Sequence, residues 1–295
     1  MKFRTRFAPS PTGPLHLGHA YSALLAHDMA RAAGGEFLLR IEDIDQTRAR
    51  PEWEAQIYDD LAWLGLRWPR PVMRQSDRIE VYQKHLAALW ARDMVFACTC
   101  TRRDVIDAAS APQEGGAPIM GPDGIVYPGT CRSRGSRARC GPQPPHGAAL
   151  RLLMRRAAHA ALGAGQSMLS FVETGRGPGG ETGLIQFDPQ SVIDRIGDIV
   201  LARRDMGTAY HLSVVVDDAA QGITHVVRGA DLFEATKIHV VLQNILGLPT
   251  PTYHHHGLIR DDNGKRLAKR DDARALSLYR EAGKTPKDIR LIIDN

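Results

Sequence analysis

Nowhere in this 295-residue chain is there an unbroken apolar run of about 18 residues, so no segment reads as a transmembrane helix. A collagen-like glycine period is missing too, and at 43% hydrophobic and 24% charged residues the composition is that of a folded domain rather than a disordered one. The first residues, Met1-Lys-Phe-Arg-Thr-Arg6, carry neither an apolar stretch nor a cleavage site, and the expectation is a cytoplasmic protein. Cysteine is scarce. Four residues, two of them in Cys98-Thr-Cys100, do not make a disulfide framework and suit metal ligands in a reducing compartment. Aromatics reach only 6%, which argues against a surface built for stacking single-stranded bases. The net charge of +5 permits a nucleic-acid partner without requiring one. The length fits two domains, or one domain with an insertion.

The pattern at the start is that of an α/β sheet. Residues 4–7 alternate and end in a Pro/Gly loop; Leu17, Tyr21, Leu24 and Leu25 recur at helical spacing before Gly34-Gly35; residues 36–41 form an apolar strand. Pro51 opens a second helix with Trp53, Ile57, Leu61 and Leu64 on one stripe and Gly65 as terminator, and Asp77 is expected to cap a third. From about Cys98 to Gly183 glycine and proline become dense, and Arg132, Arg134, Arg137 and Arg139 crowd one stretch, which reads as a loop-rich insertion. Strands are expected at 212–216 and 223–227, joined by Asp217-Asp218 and Gly222, then a helix over 232–246, a short strand to Ile259 and a turn at Asn263-Gly264.

Two segments carry chemistry. In Pro9-Ser-Pro-Thr-Gly-Pro-Leu-His-Leu-Gly-His19, exposed N–H groups at a helix start, the helix dipole, close approach at Gly18 and two imidazoles three residues apart suit the phosphates of a nucleotide. His-x-x-His by itself fits a turn with two solvated histidines better than a ligand site. In Arg266-Leu-Ala-Lys-Arg270, a loop delivering cations suits charge that develops on a transferring phosphoryl or adenylyl group, although a basic run alone also fits a solvated face. The run His254-His-His256 places at most two rings on one side of a strand, a poor metal site. Asp43 and Asp45 suit solvated or capping roles better than acid–base work. The arginines at 132–139, joined by Arg203, Arg204 and Lys237, fit either RNA phosphates or the solubility of a loop.

Taken together, Arg4-Thr-Arg-Phe-Ala-Pro-Ser-Pro-Thr-Gly13, His16-Leu-Gly-His19, Arg40-Ile-Glu-Asp-Ile-Asp45, the segment Tyr210 to Asp218, Arg228-Gly-Ala-Asp-Leu232 and the late basic loop resemble the catalytic domain of glutamyl-tRNA synthetases. Only a short tail follows Arg270, too short for an anticodon-reading domain, so the chain resembles most the short glutamyl-queuosine tRNA(Asp) synthetases. The resemblance implies a Rossmann-type class I aminoacyl-tRNA synthetase domain of α/β class, split by a zinc-binding insertion and followed by a short stem-contact segment. The expected division is 1–97 and 192–258 for the two catalytic halves, 98–191 for the insertion and 259–295 for the basic loop and stem-contact start.

The activity it implies is ATP-dependent, tRNA-independent activation of L-glutamate, then transfer to queuosine in the tRNA(Asp) anticodon, by an enzyme expected to be a monomer with no membrane partner. By the same resemblance Arg6, Phe7, Ala8, Pro9 and Ser10 line the glutamate pocket, Glu42 meets the substrate ammonium, and Tyr210 and Arg228 complete it. His16, Gly18, His19 and Lys269 serve ATP, with Mg²⁺ on the phosphates. Ala268 stands where the family's loop usually has serine, which removes one hydroxyl. Cys98, Cys100, Tyr127 and Cys131 match the family's zinc ligands, with Cys140 a rival for the fourth place. Two other readings stay open: a truncated glutamyl-tRNA synthetase charging a tRNA 3′ end, and a non-catalytic zinc and RNA-binding module.

Overall fold

The computed structural model describes residues 2–110, 117–145, 147–259 and 274–294. Strand β1 (Arg4–Phe7), helix α1 (Leu17–Ala32) and strand β2 (Glu36–Ile41) form a parallel unit in which Arg4 pairs with Glu36 and Phe7 with Leu39. Small residues make the packing close: Ala20, Ala23 and Ala26 of α1 are fully buried against the sheet. Helix α2 (Pro51–Trp63) starts on its proline and the chain leaves it through Gly65 at φ +83°, a conformation that favours glycine. Strand β3 (Met73–Arg74) extends the sheet beyond β2. Helix α3 (Ile79–Ala91) follows a 3₁₀ turn at Ser76–Arg78; its N-cap is Arg78 without a side-chain bond, so the expected cap by Asp77 is not made.

The chain then builds a second, antiparallel sheet from β4 (Val95–Cys98), β7 (Ala149–Leu152) and β10 (Val200–Ala202), with β7 in the middle. Between β4 and β7 lie helix α4 (Arg102–Ser110), the small hairpin of β5 (Met120–Gly121) and β6 (Gly124–Ile125), and α5 (Arg137–Cys140). After β7 come α6 (Met154–Ala160), β8 (Leu169–Glu173), β9 (Gly183–Phe187) and α7 (Pro189–Arg195). Strand β8 runs beside the strand at Thr252–His256, so the later parallel sheet begins well before residue 192. Serine, glycine and threonine around β8 and β9 mask two strands whose inward residues alternate with exposed ones.

Helix α8 (Tyr210–Ala220), β11 (His225–Gly229), α9 (Phe233–Leu246) and β12 (Thr252–His256) complete the sheet order β11-β12-β8-β9. The apolar run 212–216 is therefore helix, not the strand expected. Leu212, Val214, Val215 and Val216 are all buried, and a helix surrounded by protein shows no amphipathic period by which it can be told from a buried strand. The two sheets meet at β1 and β11, where the Thr224 N–H donates to the Arg4 carbonyl at 3.0 Å. From this junction the strand order runs outward in both directions, which opens a crevice at the carboxyl ends of β1 and β11. Helices α10 (Leu276–Glu281) and α11 (Pro286–Asp294) fold back: Leu276 donates its N–H to the Leu15 carbonyl at 2.8 Å, and Arg290 pairs with Asp28 of α1 at 2.5 Å.

Candidate active site

The loop leaving β1 is held against the end of β2, since the Glu42 and Arg50 amides donate to the Pro9 and Pro11 carbonyls at 3.0 Å each. It ends at His16, the N-cap of α1. The His16 Nδ1 accepts from the Gly18 N–H at 3.1 Å, and the His19 Nδ1 accepts from the His16 N–H at 3.2 Å. With both Nδ1 atoms accepting, the neutral rings carry their protons at Nε2 and donate from there. No acidic residue occupies the first turn, so nothing within that turn offsets its positive end. The two rings lie 3.8 Å apart, and Phe7 meets His19 edge-on.

Behind this loop lies a dense set of buried charges that the sequence did not announce. The Arg6 Nε and Nη2 donate to the two carboxylate oxygens of Asp218 at 3.0 and 3.2 Å. Arg40, fully buried, donates to Asp218 at 2.7 Å and to Glu42 at 3.0 Å. Asp217, also fully buried, accepts from Gln75 at 3.0 Å, Arg78 at 2.7 Å and the Tyr82 hydroxyl at 2.8 Å. Asp217 and Asp218 are thus the anchor of α8 rather than a connecting turn, and the reason is the helix itself: it carries both carboxylates inward. Burial pushes the Glu42 carboxyl above its ordinary range, and Arg40 and Arg6 oppose that push. Asp218 lies below its ordinary range, because Arg6 and Arg40 outweigh the effect of burial.

In front of these charges is a cleft of about 440 Å³ lined by Ser10, Thr12, Glu42, Gln75, Arg203 and Tyr210, among others. Arg6 and Arg228 are each 5% exposed. Pro9 is buried, Ala8 half-buried and Ser10 exposed. Burial raises the Tyr210 hydroxyl above its usual range, with Arg228, Glu42, Arg6 and Asp218 all near enough to act on it. Glu42 and Tyr210 line this cleft, whereas Arg6 and Arg228 are not on its lining and lie behind it, near enough to the Tyr210 hydroxyl to act on it. Lys269, Ala268 and the rest of the late basic loop lie outside the described residues.

A second cluster sits under the small hairpin. The thiols of Cys98, Cys100 and Cys131 converge so that all three sulfurs lie within 4.8 Å of one another. The Tyr127 hydroxyl lies 3.4 Å from the Cys98 sulfur and 3.5 Å from that of Cys100, and accepts the Cys131 N–H at 2.9 Å. Cys140 lies apart and faces the Arg134 carbonyl. Zinc bonds of about 2.3 Å to sulfur and 2.0 Å to oxygen, at tetrahedral angles, put donors about 3.5 to 3.8 Å apart, so this donor set fits such an ion. Burial pushes the Cys100 thiol up to about 11. Cys131 lies near 6 in spite of burial, held down by hydrogen bonds from Thr99 and Tyr127.

The remaining candidates have structural partners. Asp43 accepts the Ser76 N–H and hydroxyl at 2.9 and 2.6 Å, and Asp45 accepts the Thr47 hydroxyl at 2.6 Å. Arg132 pairs with Asp198, Arg203 with Asp205 and Lys237 with Glu234. Arg203 and Arg204 share with Arg102 and Arg151 a cleft of about 890 Å³ beside Cys100, which also touches Asp123 and Val200 of the smaller cleft. Lys237 is not on its lining. His254, His255 and His256 do not join in a metal site among the described residues.

Residues 2–117 and 181–293 match the family described as class I tRNA synthetases (E and Q), catalytic domain. The chain belongs to that family. It is 64% identical over 289 residues to the glutamyl-Q tRNA(Asp) synthetase of Rhodobacter capsulatus, covering 98% of this chain and 99% of that one. The protein of the same name from Symbiobacterium thermophilum is 39% identical, with 96% of this chain and 83% of that one covered. Among solved structures, a glutamate tRNA ligase of Elizabethkingia meningosepticum, determined in complex with its amino acid, superposes with a TM-score of 0.75 at 26% identity. The match covers 99% of this chain but only 60% of that ligase. No helix among the described residues is long and apolar enough to cross a membrane.

Proposed function

We propose that the protein activates L-glutamate with ATP to give glutamyl-adenylate and pyrophosphate, and then transfers the glutamyl group to queuosine in the anticodon of tRNA(Asp). The observation that carries the activation step is the meeting, at the crevice between β1 and β11, of an anion-binding helix start with two buried guanidiniums and one buried carboxylate. A dicarboxylic amino acid requires two cationic contacts and one anionic one. Arg6, Arg228 and Glu42 supply that set, Tyr210 adds a hydroxyl, and Phe7 to Ser10 form the wall. The acceptor rests on the near full-length similarity to the Rhodobacter capsulatus protein.

In this reading the His16 and His19 Nε2–H groups and the N-terminus of α1, reached closely at Gly18, hold the phosphates of ATP. Lys269 neutralises charge as the glutamate carboxylate attacks the α-phosphorus and pyrophosphate leaves. Mg²⁺ stays on the phosphates. Cys98, Cys100, Tyr127 and Cys131 would hold one Zn²⁺, which when bound ties the insertion together and lies outside the chemistry. Residues 1–97 and 192–258, with β8 and β9 joining the second, form the catalytic halves, the rest of 98–191 the insertion and 259–295 the basic loop and stem contact, in a cytoplasmic monomer. Glutamate-dependent exchange of labelled pyrophosphate into ATP, without tRNA, tests the activation step. Exchange by the native protein and its loss in Lys269→Ala support the reading; no exchange by the native protein overturns it in favour of a binding module.

A further inference from the structure

Arg228 has five N–H groups, and the described residues take three of them. Its Nε donates to the His255 Nε2 at 3.2 Å, its Nη1 to the His239 Nδ1 at 3.1 Å, and its Nη2 to the Thr236 hydroxyl at 2.6 Å. The Tyr253 ring lies beneath it, 5.1 Å from the guanidinium carbon. A guanidinium can grip a carboxylate side-on through Nε or end-on through its two terminal nitrogens. His255 occupies Nε, so the side-on geometry is closed, and one hydrogen on each terminal nitrogen remains.

Because arginine only donates, every tautomer in this neighbourhood follows. His239 accepts at Nδ1, so its proton is on Nε2 and goes to the His211 Nδ1 at 3.2 Å; His211 in turn donates from Nε2 to Asp123 at 3.3 Å. His255 accepts at Nε2, so its proton is on Nδ1 and goes to the Glu173 carboxylate. That carboxylate is fixed in turn by the amides of His255 and Gly175 at 2.9 and 2.7 Å. The chain runs without a break through six elements of the fold, from the small hairpin through α8, α9, β11 and β12 to β8. An imidazolium has no lone pair to offer Arg228, and burial, with Arg228 itself close by, keeps His239 and His255 below the usual histidine range.

We propose that His239, His255 and Thr236 are specificity-determining positioning residues that leave the end-on side of Arg228, behind the cleft-lining Tyr210, for a carboxylate of the amino-acid substrate. This rests on the proposed role of Arg228 in glutamate binding. Each contact removes one rotational freedom of the guanidinium, and the two remaining N–H groups then face an acceptor without reorganisation. Loss of a hydrogen bond to a charged group weakens binding about ten- to a hundredfold.

The test is the KM and kcat for glutamate in pyrophosphate exchange, with calorimetric binding of glutamate to the full chain as an activity-independent readout. His239→Leu is expected to raise KM and Kd at least tenfold with kcat little changed. His239→Gln, whose amide both accepts from Arg228 and donates to His211, is expected to restore most of the affinity. Thr236→Val, nearly isosteric, keeps the measurement available if His239→Leu fails to fold, and is expected to raise KM severalfold. Equal losses in His239→Gln and His239→Leu, or unchanged KM in Thr236→Val, overturn the inference. Arg228→Lys separates it from the reading beneath: a raised KM there with normal Thr236→Val and His239→Leu removes only the positioning role, whereas an unchanged KM in Arg228→Lys removes Arg228 from the glutamate site altogether.

Discussion

The buried charges around Arg40 and the cysteine cluster under the small hairpin are both dense polar groups inside the protein, and they are satisfied in opposite ways. Around Arg40 each charge has a counter-charge in the same chain: Arg6 and Arg40 against Asp218, Arg40 against Glu42, Arg78 against Asp217. Among the described residues the cysteine cluster has only weak contacts, among its own thiols, one phenol and Thr99, and its donor set fits a cation. The first region is organised by folding alone and presents a finished pocket to its ligand. The second, in the proposed reading, would gain its stability from the ion it holds.

Metal removal separates the two regions most sharply. Elemental analysis is expected to find one zinc per chain, and Cys98→Ser or strong chelation to open residues 98–152 to protease, since structural zinc contributes on the order of 10 kcal/mol. Next comes Arg40→Met, which strands the Glu42 carboxylate and leaves Asp218 with Arg6 alone. A loss of about 3 to 5 kcal/mol is expected, seen as a fall in melting temperature on the order of 10 °C. The same lattice has an acid limb. Asp218 is held below its unfolded value of 3.8, so its contribution is complete above that pH and is lost as pH falls through the folded value; Asp218→Asn removes that part of the acid transition.

His16→Ala is expected to cost about 1 kcal/mol of helix capping but about 100-fold in pyrophosphate exchange. The smallest effect belongs to Asp60, buried in α2 with one carboxylate oxygen unpartnered among the described residues and its carboxyl raised to about 6 by burial. The neutral form is the one folding tolerates, so the Asp60 contribution is most favourable below 3.8 and declines as pH rises through 6. Asp60→Asn should raise the melting temperature by a few degrees at pH 7.5 and leave it unchanged at pH 4.

Local signals were legible in the sequence. Pro51, Gly65 and the strand–helix–strand start could be read because each depends on neighbours in the chain, whereas the convergence of Cys98, Cys100 and Cys131 was implied by the family resemblance. The buried charges could not. Asp217 and Asp218 lie far along the chain from Arg40, Arg6 and Tyr82, and their meeting depends on α8 being a helix. Its all-apolar run hid that, and an Asp-Asp pair next to a supposed strand looked like a turn. His239, His255 and Thr236 were missed for a related reason: they act through Arg228, and only the register of β11 with β12, which sets Arg228 opposite His255, shows it.

The most direct test of the account is transfer of labelled glutamate, with ATP present, to two matched preparations of tRNA(Asp), one containing queuosine and one the unmodified guanosine. Label on the queuosine-containing tRNA alone is the predicted result. Label on both, or on tRNA(Glu) instead, would contradict it and point to a synthetase that charges the 3′ end.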